Sequence, residues 1–457
     1  MKQKTKNYVY SDFNLSIEPN YTADSKLVVN YAYNIALEDK IIKPNHDFSN
    51  IFKEIYNDDE FGNFYENNSE LIDKFIYFAN FEFFTDRVFN RLFFITDTLC
   101  LYELNKDLKT FTSLDTIFTK IPNVIKYENT LYFIDGKNIT YFSEAGSKQT
   151  HSARNALNKF CKFNRRFYFI LESEKFTIFS GNTSDFKNMF EEIIKFDSIE
   201  LDSDDGAVLD VLVFKGNLYV IQQYKISKIT VTDSEYKFTS NINMTFGILH
   251  NSIACIDDYI VFASLDGIYK FDGNNLVNCF KNITKNVNFS KLKAFSYNNK
   301  YYLNTEYYCK NDHLNMLIEL NFATNTANLY KFNQIIDVYV NRGISFNDLY
   351  VVNYKNKKYE ITRLDRTTSS HYKKYLKFNP IYFDETNYKT INYIKICSTG
   401  SFKFIISSES DTRELNITGN FEINTLGLIG QVFNIEILSD DFFEISMLKL
   451  GVSECEY

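Results

Sequence analysis

Gly247 to Gly273 reads GILHNSIACIDDYIVFASLDGIYKFDG, and this stretch decides the fold. Asn251 to Ile256 is a short apolar run, followed by a turn at Asp257-Asp258. Tyr259 to Ser264 is β-branched and aromatic, Asp266-Gly267 makes a second turn, Ile268 to Phe271 a third strand and Asp272-Gly273 a third turn. An Asp-Gly pair between apolar runs is a strong hairpin signal, because glycine takes φ > 0 without steric cost. The stretch therefore predicts one antiparallel blade.

Working outward, the central strand of that blade recurs. RLFFITD begins at Arg91, TLYFIDG at Thr130, RFYFILE at Arg166, NLYVIQQ at Asn217, DYIVFAS at Asp258, KYYLNTE at Lys300 and DLYVVNY at Asp348. Each is followed by a second run: LCLYEL, ITYF, FTIF, ISKI, IYKF, LIEL and YEIT. The spacing runs from 36 to 51 residues, close to the ~40–50 of a four-stranded propeller blade. One blade cannot bury both of its faces, and a ring of blades can. The expectation is an all-β chain: a β-propeller of about seven blades, with six to eight compatible, over 76–367. A small C-terminal β-sandwich is expected over 368–457. Residues 1–75 read as an irregular connector from which Leu27 to Ile35 could lend a strand to close the ring. The acidic run Asn57 to Glu70 reads as a solvated loop, Asn188 to Lys195 as a short surface helix, and Thr367 to Lys374 (TTSSHYKK) as a polar linker. Beyond it, strands are expected at Tyr393 to Cys397, Phe402 to Ser407, Leu415 to Thr418, Val432 to Ile437 and Phe443 to Leu450.

Composition narrows the function. The 457 residues include 45 Phe, 34 Tyr, no Trp, 15 Gly and only 4 Pro, so Asn and Asp must carry most turns. The net charge is −8, which argues against a surface that coats nucleic acid. Seven dispersed cysteines (Cys100, Cys161, Cys255, Cys279, Cys309, Cys397, Cys455) contain no C-x-x-C pair and read as reduced thiols. The N-terminal MKQKTKNYVYSDFN has no apolar segment of a secretory signal, and no window is apolar enough for a membrane span.

The candidate sites are weak. Asp202, Asp204 and Asp205 begin like a calcium loop, but Gly206 stands at the next ligand position and no Glu follows, so a turn is expected. His46, His151, His250, His313 and His371 share no metal-ligand spacing. The paired acids Glu191-Glu192, Asp257-Asp258 and Asp440-Asp441 are adjacent in sequence and would point apart on a strand. Glycosidase carboxylates come from different strands, so a propeller glycosidase stays open. Lys373, Lys374 and Lys377, interleaved with Tyr372, Tyr375 and Phe378, read as a solvated strand edge, with a partner contact as the alternative. Tyr301-Tyr302 and Tyr307-Tyr308 read as blade core, with sugar or base stacking as the alternative. No catalytic, cofactor-binding or metal residue is assigned.

Two stretches carry a resemblance. DDGAVLDVLVFKGNLYVIQQYKISKI from Asp204 and the opening stretch are similar to tailed-bacteriophage virion proteins of the tail-hub, nozzle or packaged-DNA stabilisation type. The matching positions are Gly247, Asn251-Ser252-Ile253, Asp266-Gly267-Ile268-Tyr269 and Asp272-Gly273. KTINYIKICSTGSFKFIISSES and LIGQVFNIEIL are similar to that family's closing domain. The resemblance implies a non-enzymatic virion part made in the host cytoplasm. It also implies a ring of identical copies that meets portal, adaptor and other tail proteins and lets DNA pass without reading its sequence. The alternatives are a propeller adhesin that binds glycans and, third, the glycosidase.

Overall fold

The computed structural model describes residues 5–10, 12–14, 26–38, 41–56, 58–84, 88–105, 107, 109–143, 148–152, 157–182, 189–190, 196–232, 236–280, 287–309, 312–324, 326–342, 347–369, 373–383 and 387–454. The chain forms two compact units that interleave in sequence. One comprises Asn50–Val277 and Gln334–Arg363, the other Met1–Ser49, Asn278–Asn333 and Leu364–Tyr457.

Among the described residues, six four-stranded antiparallel sheets form a ring, a β-propeller. The first contains Phe75–Phe84, Val88–Thr96, Cys100–Asn105 and Thr110–Ile117. The second contains Asn123–Tyr127, Thr130–Ile134, Asn138–Phe142 and Lys148–Ser152, and the third Leu157–Phe163, Arg166–Leu171, Thr177–Asn182 and Asp197–Glu200. The fourth contains Val208–Phe214, Asn217–Gln222, Lys225–Val231 and Tyr236–Asn243, and the fifth Ala254–Ile256, Tyr259–Ser264, Gly267–Phe271 and Leu276–Phe280. The sixth joins Ile335–Arg342, Asn347–Lys355 and Lys358–Ser369 to the early strand His46–Asn50. The ring is thus closed by His46–Asn50, and the expected closing segment Leu27 to Ile35 lies elsewhere.

The repeated aromatic runs are the second strands, and their continuous apolarity has a packing cause. In the second sheet Leu131 and Phe133 join a core with Phe81, Phe93 and Leu101 of the first sheet. The alternate residues Tyr132 and Ile134 join a core with Phe167 and Phe169 of the third. Odd and even positions therefore both need apolar side chains, unlike a strand with one wet face. Tyr168 and Ile170 pack with Leu218 and Val220 between the third and fourth sheets. Tyr219 and Ile221 pack with Ile260 and Phe262 between the fourth and fifth. Several hairpins turn on two residues of positive φ, as at Asn164-Arg165 (48°, 63°) and Asn356-Lys357 (53°, 65°), which matches strand twist without glycine.

The polar run read as a loop is a helix, Asp58–Ile72, and this corrects the expectation. Phe61, Phe64 and Tyr65 stand at helical spacing among Asn and acidic residues. Phe64 is buried with Phe52, Phe75 and Phe94. Asn67 and Asn68 side chains donate to the carbonyls of Asn63 and Phe64, each at 2.9 Å.

The repeat at Lys300 is not one of the six sheets. Val287–Tyr297, Lys300–Cys309, Asp312–Asn321 and Thr326–Phe332 form a four-stranded meander, but Leu329 and Asn328 then pair with Ile35 and Ala36. In this second unit seventeen strands of the described residues connect. Lys26–Tyr33 pairs with Lys374–Phe378, so the N-terminal region supplies sheet rather than an irregular connector. The stretch read as a linker is strand to Ser369, and Lys374 opens the next strand. Two expected C-terminal strands are one, Lys389–Ser407, which bends where Gly400 takes φ +73°. Before the bend it pairs with Phe443–Glu454, and after it with Thr412–Thr418 and Val432–Ser439. Such a corner lets one strand serve two sheet faces.

Candidate functional site

The Asp202–Gly206 loop is a turn that locks the third sheet to the fourth. The Asp202 carboxylate accepts from the Asp204 amide at 3.0 Å and opens a 3-10 turn, Ser203–Asp205. The Tyr224 amide donates to the Asp205 carbonyl at 2.9 Å, and the Gln222 side chain donates to the carbonyls of Asp202 and Gly206. Lys225 pairs with Asp205 at 2.7 Å. Gly206 has φ +80°, and a Cβ there would lie 2.6 Å from Gln223.

The other acids of the opening stretch are likewise engaged in turns. Tyr269 donates its hydroxyl to Asp266 at 2.6 Å. Asp272 accepts from the amides of Asn274 and Asn275 at 2.8 and 2.7 Å. These backbone donors hold its carboxyl down at about 2. Asp257-Asp258 is an exposed hairpin turn. The Asp440 carbonyl accepts from Lys374, while Glu191-Glu192, His371, Cys455 and most of Asn188 to Lys195 lie outside the described residues.

His151 stacks on Tyr141 with ring centroids 5.6 Å apart, and His313 meets the edge of Tyr308 at 4.6 Å. Among the described residues no three His, Cys, Asp or Glu side chains converge as metal ligands. Tyr301 and Tyr302 are fully buried, which removes them as a stacking platform. Lys374 corrects the solvated-edge reading: it is 2% exposed, donates to the Asp440 carbonyl at 2.8 Å, and burial lowers its pKa. Lys377 pairs with Glu436 at 2.9 Å.

The sequence reading missed a polar group at one mouth of the ring. The first strands of neighbouring sheets adjoin, Leu157–Phe163 beside Val208–Phe214 and Ile335–Arg342 beside Phe75–Phe84, so they form the ring's inner wall. Four of them carry a bulge at the same point, immediately before Tyr77, Lys159, Asp210 and Asp337. A bulge breaks the alternation and re-aims the next side chain. Asp210 lies 3.8 Å from Lys159. Burial pushes the Asp210 carboxyl up to about 6, and the half-exposed Lys159 offsets this only in part. Cys161 and Cys255 feel the Asp210 charge, and burial followed by that charge pushes both thiols up to about 12. Both are therefore protonated and poor nucleophiles. His250, also close to Lys159, is held below its ordinary pKa by burial and then by that ammonium. The group can take up and release a proton near pH 6. Its one sequence signal is a charged residue inside an apolar first strand, as in VLDVLVF at Val208.

No protein-family model and no curated protein sequence matches the chain. Solved structures do. BBS1N in complex with ARL6DN is 10% identical over 61% of this chain and 89% of its own, with a TM-score of 0.39. A mitotic checkpoint complex chain is 12% identical over 63% and 89%, at 0.36. A luciferin-regenerating enzyme is 12% identical over 51% and 87%, at 0.32. These likenesses carry no argument about what the chain does.

Proposed function

We propose that the protein is a structural, non-enzymatic component of a bacteriophage tail or neck, in which copies form a ring that continues the portal's DNA channel. The observation that carries this reading is the use made of the acids in the stretch with the phage resemblance. Asp266 and Asp272 hold hairpins, and Asp205 ties the loop between the third and fourth sheets to Lys225. These groups stiffen a building block rather than face a substrate. A propeller whose last sheet is closed by His46–Asn50 leaves few edges for strand exchange, which suits side-by-side packing of copies. The excess of negative charge lets a duplex slide without ionic trapping.

The test is mass photometry and negative-stain imaging of the purified chain, with the chain followed in virion fractions. Ring-shaped oligomers and co-purification with tails are expected. A monomer that never accompanies virions would overturn the assignment.

A further inference from the structure

In the propeller unit, the turns between second and third strands emerge at the same end as the connections from one sheet to the next. Among the described residues six large apolar side chains are exposed at that end: Ile117 (71%), Ile121 (40%), Phe176 (38%), Tyr224 (41%), Phe246 (48%) and Leu265 (52%). Hydrogen bonds tie the segments that carry four of them to the neighbouring turns and connections. The Leu201 amide donates to the Phe176 carbonyl at 2.9 Å, and the Tyr224 amide to Asp205 at 2.9 Å. The Ile248 amide donates to Gln223 at 2.7 Å, and the Ser264 hydroxyl to the Phe246 carbonyl at 2.9 Å. Phe176, Tyr224 and Leu265 thus sit on the turns between second and third strands of the third, fourth and fifth sheets, and Phe246 on the connection between the last two. Contiguous exposed apolar surface with a polar rim is the mark of an interaction site.

The rim is mostly acidic. Glu172, Glu174, Asp202 and Asp204 are exposed along it. Of the nearby lysines, Lys120 pairs with Glu172 and Lys225 with Asp205, which leaves Lys175 as the remaining cation of this arc among the described residues. A phosphate backbone would be repelled, and a second copy using the same arc would bring carboxylates against carboxylates.

We propose that this face docks a cationic, amphipathic polypeptide segment of a partner protein, with its apolar side chains on Phe176, Tyr224, Phe246 and Leu265 and its Lys or Arg residues against the carboxylate rim. The inference rests on the surface alone and stands or falls independently of the tail assignment.

The probe is a fluorescein-labelled peptide of about twenty residues built from Leu and Lys at helical spacing, with a Leu/Glu peptide of the same pattern as control. Binding to the full chain is read by anisotropy at two salt concentrations. Saturable binding of the Leu/Lys peptide alone is expected. The double variant Glu174→Lys with Asp204→Lys should weaken it at least tenfold and flatten its salt dependence. Phe246→Ser with Leu265→Ser should weaken it while keeping the salt dependence. Asp257→Lys with Asp258→Lys, an equal charge change at the opposite end of the strands, should leave binding unchanged. Thermal unfolding checks that each variant folds. No binding, equal binding of the Leu/Glu peptide, or equal losses from the two charge variants would overturn the proposal. So would self-association in sedimentation that the Phe246→Ser, Leu265→Ser variant abolishes, because the face would then belong to a second copy.

Discussion

Tyr302 donates its buried hydroxyl to the carboxylate of Glu319, its direct cross-strand partner in the Lys300–Asn321 hairpin. Lys300, Asn328 and Tyr330 bond to the same carboxylate, which is 2% exposed. Removing one member of such a group strands the others without water. Glu319→Ala is expected to cost about 3–5 kcal/mol. Glu319→Gln keeps an acceptor and should cost less. Urea unfolding measures both, and an alanine variant as stable as the parent would show that the group contributes nothing.

Gly400 is a position where a side chain has no room. Its φ is +73°, and a Cβ would sit 2.0 Å from the Phe442 carbonyl oxygen. Gly400→Ala must straighten the bend or displace Phe442, so a loss beyond the usual ~1 kcal/mol of a misplaced alanine is expected. Thermal unfolding of the variant provides the check, with Gly419→Ala as reference. Gly419 shares a positive φ of 69° but has open space around it.

Asp135 repeats the turn made by Asp272, in the sequences Asp135-Gly136-Lys137-Asn138 and Asp272-Gly273-Asn274-Asn275. Burial raises the Asp135 carboxyl, but amides of Asn138, Thr119 and Lys137 more than offset this, and its pKa falls below the ordinary 3.8. A depressed folded-state pKa gives stability that is present above the ordinary value and lost as pH falls through the folded one. Asp135→Ala should cost about 1–3 kcal/mol at neutral pH. The gap between variant and parent should narrow below pH 3.8. A gap that does not change with pH would exclude this assignment of the carboxylate.

Asp210 gives the opposite slope. Its folded pKa, about 6, lies above the ordinary 3.8, so the folded chain holds a proton that the unfolded chain releases. The resulting stability is full below about pH 4 and lost as pH rises through about 6, by about 2–3 kcal/mol in all. Asp210→Asn cannot titrate. Relative to this variant the parent should lose stability between pH 4 and 6 and stay parallel above it. Parallel curves throughout would place the carboxyl at its ordinary pKa.

Much of the propeller was legible because the second strands pack on both faces. RFYFILE and NLYVIQQ leave no alternation for a wet surface, so apolarity alone marks them. The same signal could not separate the Lys300 repeat from a blade. Its meander has the same pattern, and only the pairing of Leu329 with Ile35, far away in sequence, sets it apart. Asp58–Ile72 was hidden because its buried stripe is narrow and its Asn side chains cap its own carbonyls. Gly400 looked like a strand end because a bend and a break share the same residues. Asp266 and Asp272 of the opening stretch were readable as turn formers from the Gly beside them. The Asp210 group was not, since bulges place it and a charged residue inside an apolar run, as in VLDVLVF, does not say which neighbours it meets.

The strand His46–Asn50 emerges early in synthesis, yet its partner Lys358–Ser369 is made after every other sheet of the ring. Until then it travels as an unmatched edge, and the nascent ring stays an open arc. Closure of the circle therefore requires a strand that is made after the other five sheets. Once latched, the first and last sheets are held by a clasp, so a backbone cut in a loop between inner sheets need not let the circle spring open.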